Sequence, residues 1–278
     1  MVNICFSGNK AVFEGLLMSI MSLSKYSDED LNIHILTMDL SDENPNFLPF
    51  SDEQFEILNE VVKEKNPNSK VQKVDVTKYY VDTLREGKNH KNGYTPYATL
   101  RLMLDLVPNM PEKMIYLDVD TMACGDIKVL YDIDVEGFDF AATKDYMGRF
   151  WIRKTYCNSG VMLMNLKQIK EDGLFEKCRK MVNDVKMLMP DQSALNKYGK
   201  KKYIPFRFNE QRKIKENTII KHFCKGIVFF LPFGFHIYNI KQWNREKVHK
   251  SLKIFMFDDI YERVDKYKES RLSAFKRS

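Results

Sequence analysis

The chain has 278 residues, 44% of them hydrophobic and 29% charged, with a formal net charge of +6. That is the balance of a globular protein with a sizeable core, in one large α/β domain or two small ones, and it excludes a disordered or fibrous chain. No stretch approaches the ~20 apolar residues of a membrane-spanning helix. Eleven Lys/Arg against six Asp/Glu fall in 241–278, so the positive excess is mostly a carboxyl-terminal property.

Met1-Val2-Asn3-Ile4-Cys5-Phe6 lacks a basic region followed by a long apolar one, so it reads as a first strand and not as a signal peptide. The turn signal Gly8-Asn9-Lys10 follows, then Phe13, Leu16, Leu17, Ile20, Met21 and Leu23 at helical spacing. Leu31 to Met38 is a second strand, in which His34 reads as an ordinary strand residue. Ser51 and Gln54 form a capping box that opens a helix through Phe55, Leu58, Val61 and Val62. Lys70 to Val76 is a third strand. Strand–helix alternation over ~75 residues predicts a parallel sheet with right-handed crossovers.

A polar loop spans Gly87 to Tyr94. Thr95-Pro96 then opens a helix, with Thr95 as cap, that carries Arg101 and ends at Val107-Pro108. Arg101 alone reads as a solvated helix charge. The run Met114-Ile115-Tyr116-Leu117 is a buried strand ending in Asp118-Val119-Asp120. Alternate strand residues share a face, so both carboxylates can address one hard divalent cation at the strand's carboxyl end, where open α/β sheets bind ligands. Phe138 to Thr143 is another strand. Tyr156-Cys157-Asn158-Ser159-Gly160 is a turn leading into the apolar run Val161 to Leu166.

An amphipathic helix covers about Leu174 to Leu188. Pro190-Asp191-Gln192 starts another, which stops near Gly199. Thr218 to Phe223 is a short strand with His222 at its end. Beyond it the chain becomes aromatic (Phe223, Phe229, Phe230, Phe233, Phe235, Tyr238, Trp243), then basic. The cysteines, Cys5, Cys124, Cys157, Cys178 and Cys224, are scattered and odd in number. This pattern suits a reducing cytosol and offers neither a disulfide framework nor a zinc site.

The ordered set of opening strand and helix, Arg101, Tyr116-Leu117-Asp118-Val119-Asp120, Asn158-Ser159-Gly160-Val161, Asp191-Gln192 and His222 resembles family 8 glycosyltransferases, over about residues 3 to 245. The resemblance implies a GT-A-type, Rossmann-like mixed sheet flanked by helices, a catalytic domain over 1–244, and a basic-aromatic tail over 245–278. It implies retaining transfer of a hexose, from UDP-galactose or UDP-glucose, to a glycan or lipopolysaccharide-type acceptor. Asp118, Asp120 and His222 are then the metal ligands, for Mn²⁺ or Mg²⁺. Ser7, Asn9, Arg101, Asp118, Val119, Asp120, Asn158, Ser159 and Lys241 are expected to contact the nucleotide sugar, and Asp191 and Gln192 to be the catalytic pair. Front-face substitution and a nucleophilic Gln192 amide both remain open.

The sequence departs from the family's pattern twice. Asn9 stands where many members carry aspartate, although an amide can still pair with a base edge. The family's Gly-x-x-Lys-Pro-Trp after the metal histidine is absent. Lys241-Gln242-Trp243, nineteen residues on, is the nearest match, so Gly226 to Tyr238 reads as an insertion that loops out and returns. Lys225 is the competing lysine. Two further readings stand beside this one. One is a phosphohydrolase using the Asp-x-Asp pair, although that motif normally lies on a domain's first strand. The other is a non-catalytic nucleotide-sugar-binding protein. The tail's interleaved Phe255, Phe257, Tyr261, Tyr267 and Phe275 suggest peripheral contact with the inner face of a membrane, against an equal case for a helix packed on the domain. Nucleic acid is not an expected partner.

Overall fold

The computed structural model describes residues 1–91, 95–230 and 234–275, without the side chains of 228–230. The strands β1 (Val2–Ser7), β2 (Leu31–Thr37) and β3 (Lys70–Asp75) are separated by the helices Phe13–Tyr26 and Asp52–Lys63. β4 (Lys113–Leu117) joins the parallel run against β1. After β5 (Thr121–Ala123) come β6 (Phe140–Lys144), β7 (Cys157–Asn165) and β8 (Lys201–Tyr203). The seven-stranded sheet runs β3-β2-β1-β4-β7-β6-β8, with β7 antiparallel to both of its neighbours. It is mixed, as expected. β9 (Ile220–His222) pairs with β5, and β10 (Gly226–Phe230) with β11 (Gly234–Tyr238), both antiparallel and outside the main sheet.

The two-residue period of the strands sorts side chains into two apolar layers. In β4, Ile115 and Leu117 enter the layer under the helices Phe13–Tyr26 and Asp52–Lys63. Met114 and Tyr116 enter the opposite layer, with the Pro96–Met103 segment and the helix Leu174–Asp184. The capping box of Ser51 and Gln54 is present as predicted.

Local chemistry alters several expectations. Thr95 makes no side-chain cap, and Pro96–Met103 is a tight 3₁₀ helix rather than an α-helix. Residues 92–94 of the predicted loop lie outside the described residues, but Asn89 before them is buried and donates to the carbonyls of Val182 and Val185 at 2.5 Å. The amphipathic helix stops at Asp184, four residues short of the predicted end, because Val185 turns extended. Asn158 and Ser159 lie within β7 and not in a turn. The predicted out-and-back insertion is the β10–β11 hairpin, of which 231–233, and the side chains of Phe229 and Phe230, fall outside the described residues.

The basic tail forms the helix Asp258–Ser270, which lies on the first helix. Phe257, Ile260 and Val264 are about 1% exposed within the main apolar layer, Tyr261 is buried beside them, and Phe275 stacks edge-on against Phe13 at 5.1 Å. Of the five tail aromatics only Phe255 is exposed. Lys276 and Arg277 lie outside the described residues.

Candidate active site

β4 ends at Leu117, so Asp118 and Asp120 are not aligned by strand alternation, as the sequence suggested. Asp118-Val119-Asp120 is a turn, closed by the Thr121 amide and hydroxyl donating to the Asp118 carbonyl at 3.2 and 2.8 Å. β9 then pairs His222 directly opposite Thr121. One ligand atom each from Asp118, Asp120 and His222 lies within 4.8 Å of the others. His222 Nε2 is 3.2 Å from Asp120 Oδ1 and 3.9 Å from Asp118 Oδ2. Gly160 in β7 completes the corner. Its carbonyl accepts from the Asp118 amide at 2.8 Å, and a Cβ there would overlap His222 Cε1 and lie 2.7 Å from Asp118 Oδ2.

The orientation of His222 is set from a distance. Asp145, just past β6, has a carboxylate that only accepts, and it takes the Asn158 amide nitrogen at 2.9 Å. The Asn158 oxygen therefore faces away, accepting from the Gly160 amide at 3.0 Å and from the Asn209 amide at 2.9 Å. The Asn209 oxygen in turn meets His222 Nδ1 at 3.0 Å. Read along this chain, Nδ1 is the donor to Asn209, which leaves Nε2 as the ring atom directed at the two carboxylates. Two carboxylates and an imidazole so arranged fit a divalent ion of the Mg²⁺/Mn²⁺ type, and the amide behind the histidine is the support such ligands usually have.

Arg101 is not the solvated charge its sequence context suggested. Its guanidinium is 3% exposed, stacks 4.0 Å above the Tyr116 ring, and bonds Asp118 Oδ1 at 2.8 Å. It also donates to the Ser159 carbonyl and faces Asp191 Oδ2 at 3.2 Å. Burial pushes the Asp191 carboxyl above the ordinary range, and Arg101 opposes that shift. Gln192, next along the helix Pro190–Tyr198, accepts from the Ser159 amide at 3.0 Å and hydroxyl at 3.2 Å, while its amide nitrogen lies 3.4 Å from Asp145.

Lys241 reaches back onto the Asp120 carboxylate and donates to the Phe223 carbonyl at 3.2 Å. Burial works against the charge of Asp120, but His222 and Lys241 outweigh it and hold the carboxyl well below its usual range. Burial likewise opposes the Lys241 ammonium, and Asp120 nevertheless lifts it above the ordinary lysine value. Lys225 is exposed at the cavity wall.

Asp118, Asp120, His222, Arg101, Asp145, Asn158, Ser159, Asp191, Gln192 and Lys241 line one cavity of about 830 Å³. Ser7, Gly8 and Asn9 belong to the same lining. Ser7 Oγ bonds the Tyr116 hydroxyl at 2.5 Å, and the Asn9 amide donates to the Asn46 carbonyl at 3.2 Å. Val119 also lines the cavity, so every sequence-predicted site residue is gathered in it. Asp145, Asn209 and Tyr116 were missed as contributors. The first two act only through contacts 13 to 51 residues apart in sequence, which no local spacing signals.

Residues 3–229 match the model of the family described as glycosyl transferase family 8. The chain belongs to that family. It is therefore a glycosyltransferase, and Lys241 lies beyond the matched region. A Haemophilus influenzae protein carrying a provisional glycosyltransferase name is 28% identical over 80% of this chain and 71% of its own length. Glycosyltransferase GlyF of Streptococcus pneumoniae is 24% identical over 62% of this chain, which spans 39% of the length of GlyF. Among solved structures, the galactosyltransferase LgtC, in complex with donor and acceptor sugar analogs, superposes over 95% of this chain and 96% of its own, with a TM-score of 0.66 at 16% identity. The bifunctional glycosyltransferase WbbM covers all of this chain and 52% of its own, with a TM-score of 0.70 at 16% identity. These likenesses establish the GT-A-type fold, a mixed sheet flanked by helices.

Proposed function

We propose that this glycosyltransferase moves a hexose, galactose or glucose, from a UDP-sugar to a glycan or glycolipid acceptor, with retention of anomeric configuration. The observation that carries the reading is one cavity in which Asp118, Asp120 and His222 converge beside Arg101, Asp191 and Gln192, with Ser7 and Asn9 in the same lining. Family membership supports retention, and the donor and acceptor analogs in the LgtC structure support the two partner classes.

Asp118, Asp120 and His222 would hold Mn²⁺, or Mg²⁺, which when bound supplies positive charge to the departing diphosphate. Lys241 sits where its ammonium adds to that charge. Arg101 orients Asp118 and Asp191 together, so the metal end and the sugar end share one rigid support. Asp191 and Asn158 would take sugar hydroxyls. Gln192 is held by Ser159 and Asp145 with its amide toward the cavity, where it can stabilise the developing cationic ring or attack it. Val119 and Ser159 belong to the same cavity lining.

Asp118 is already committed to Arg101 and to the Gly160 carbonyl through its amide, which suits a ligand better than a phosphatase nucleophile. We place the catalytic domain at 1–244 with 245–278 as a tail, and the protein at the cytoplasmic face of a membrane. Among the described residues no helix is long and apolar enough to cross one.

The test is Mn²⁺-dependent release of UDP from a panel of UDP-sugars, with the product anomer read by NMR. Asp120→Asn, which replaces an anionic ligand with an amide, should retain the fold and lose at least 10²-fold in rate. Normal turnover by that variant, or an inverted product, would overturn the assignment.

A further inference from the structure

The cavity mouth carries an apolar surface besides the polar groups described above. The turn Gly148–Trp151 and the residue after it expose Phe150 by 68%, Trp151 by 70% and Ile152 by 55%. Leu188, in the loop before the helix Pro190–Tyr198, is 76% exposed, and Ile237 on β11 is 54% exposed. Trp151, Ile152, Leu188 and Ile237 all line the same cavity as the carboxylates, so these apolar groups rim its opening from three separate segments. Exposed apolar groups scattered singly need no explanation, but several gathered on one rim mark an interaction surface.

The charge around them is mainly positive, and the stretch 149–154 contains no acid. Arg149, Arg153 and Lys154 flank the Phe150–Ile152 group, and Lys186 is exposed beside Leu188. No carboxylate pairs with any of these four among the described residues, whereas most of the exposed tail cations near acids are paired. Arg149 instead stacks over Phe150 and Phe206, at 4.6 and 5.1 Å. Tryptophan with isoleucine and leucine, interleaved with lysine and arginine and free of acids, is the composition that settles at a lipid headgroup boundary. A sugar platform would instead set one aromatic face among hydrogen-bonding side chains, and a protein partner would be met by a rim of mixed charge.

We infer that this rim, and not the tail, docks the protein on an anionic lipid surface, with the cavity opening onto the headgroup layer. Phe257 and Tyr261 turn inward, and none of the apolar groups the tail still exposes, Phe255, Met256 and Leu272, lines the cavity. That the docked cavity would face a lipid-held acceptor rests on the glycosyltransferase reading; the docking itself does not, and its test contains no nucleotide sugar.

The experiment is co-sedimentation of the full chain with vesicles of phosphatidylglycerol and phosphatidylethanolamine, and with vesicles of phosphatidylcholine alone, while following tryptophan emission. Trp151 and Trp243 are the two tryptophans. The expected result is binding to the anionic vesicles, at least tenfold weaker to the neutral ones, with a blue shift of emission. Trp151→Ser with Ile152→Ser should abolish the shift and weaken binding at least tenfold, and Lys154→Glu with Lys186→Glu should weaken it comparably. Circular dichroism melts establish that each variant is folded. Lys253→Glu with Lys266→Glu, two exposed tail positions, should bind as wild type. The inference is overturned by absence of wild-type binding, by equal binding to both vesicle types, by rim variants that bind normally, or by loss of binding in the tail variant.

Discussion

Gly160→Ala isolates the geometry of the metal corner without changing a ligand, a charge or a hydrogen-bonding side chain. Its backbone lies in β7, so the substitution is conformationally ordinary and the whole cost is steric. The new methyl would overlap His222 Cε1 and stand 2.7 Å from Asp118 Oδ2, against roughly 3.5 Å for a relaxed contact of this kind. Asp118 is tied to Arg101 at 2.8 Å and His222 to Asn209 at 3.0 Å, so neither can yield without breaking its own support. A displacement of more than about 1 Å is required of the imidazole, and a misplacement of that order costs about 10²-fold, or ~2.8 kcal/mol, in a positioned site.

The global cost is that of modest overpacking, about 1–3 kcal/mol, within a domain's reserve. Mn²⁺ affinity, measured by the loss of free-ion electron paramagnetic resonance signal on titration, should fall 10- to 100-fold while the far-ultraviolet spectrum is preserved. UDP release at saturating UDP-sugar should fall in parallel and recover partly at high Mn²⁺. A folded Gly160→Ala protein with wild-type Mn²⁺ affinity would refute the proposed ligand set, because no cation could then depend on the corner that Gly160 makes possible.

Three other variants separate the remaining roles. Lys241→Ala should lower UDP release by two or more orders of magnitude at saturating Mn²⁺, as for other preorganised donors, and Lys225→Ala should change it little; the reverse ranking would move the clamp to Lys225. Asp145→Asn lets the amide chain run in either direction, so Mn²⁺ affinity should fall 10- to 100-fold. Unchanged affinity in the folded variant would refute the relay. Asp139 accepts from the Lys200 amide at 2.7 Å, while its Oδ1 is buried without a hydrogen-bond partner; burial, helped by nearby Asp172, raises its carboxyl to about 6. A value raised on folding favours the protonated fold, so this contribution is complete below about pH 4 and is lost as pH climbs through 6. Allowing for partial solvent screening, about 1–1.5 kcal/mol is at stake. Asp139→Asn should therefore raise the urea midpoint at pH 8 relative to wild type and leave it nearly unchanged at pH 4; an equal shift at both would refute the assignment.

What could be read from sequence follows how locally each feature is encoded. The alternation in Met114 to Leu117 places β4 between two apolar layers, and the acids after it announce a site at a strand's carboxyl end. The convergence of those acids is not local. It depends on β9 laying His222 opposite Thr121, a pairing across about a hundred residues that only the family's ordered motifs anticipated. Arg101 looked like a surface charge because most arginines are, and its burial becomes tolerable only when Asp118, Asp191, Tyr116 and the Ser159 carbonyl surround it. Asp145 and Asn209 gave no signal, since a carboxylate after a strand and an asparagine in a loop are commonplace until the hydrogen bonds are traced. The tail shows composition misleading where periodicity would have served: Phe257, Ile260, Tyr261 and Val264 recur at helical spacing, the mark of one face buried against the domain.

That burial bears on where the catalytic unit ends. The matched family region stops at residue 229, yet the site continues through Lys241 and Gln242. Gln242 is wholly buried, and its amide donates to the Val119 carbonyl at 2.6 Å, between the two aspartates, and to the Gly15 carbonyl at 3.2 Å. Trp243 packs so closely on Gly15 that no Cβ fits there. The Gln242 carbonyl in turn accepts from the Tyr261 hydroxyl at 2.6 Å, a group contributed by the tail helix. Burying Phe257, Ile260 and Val264 contributes about 1.5–3 kcal/mol each, an upper figure, which is a large share of a domain's net stability. A boundary at residue 244 thus marks a change in composition more than an energetic seam: the tail holds Tyr261, Tyr261 holds Gln242, and Gln242 fixes both the turn that presents Asp118 and Asp120 and the position of the lysine beside it.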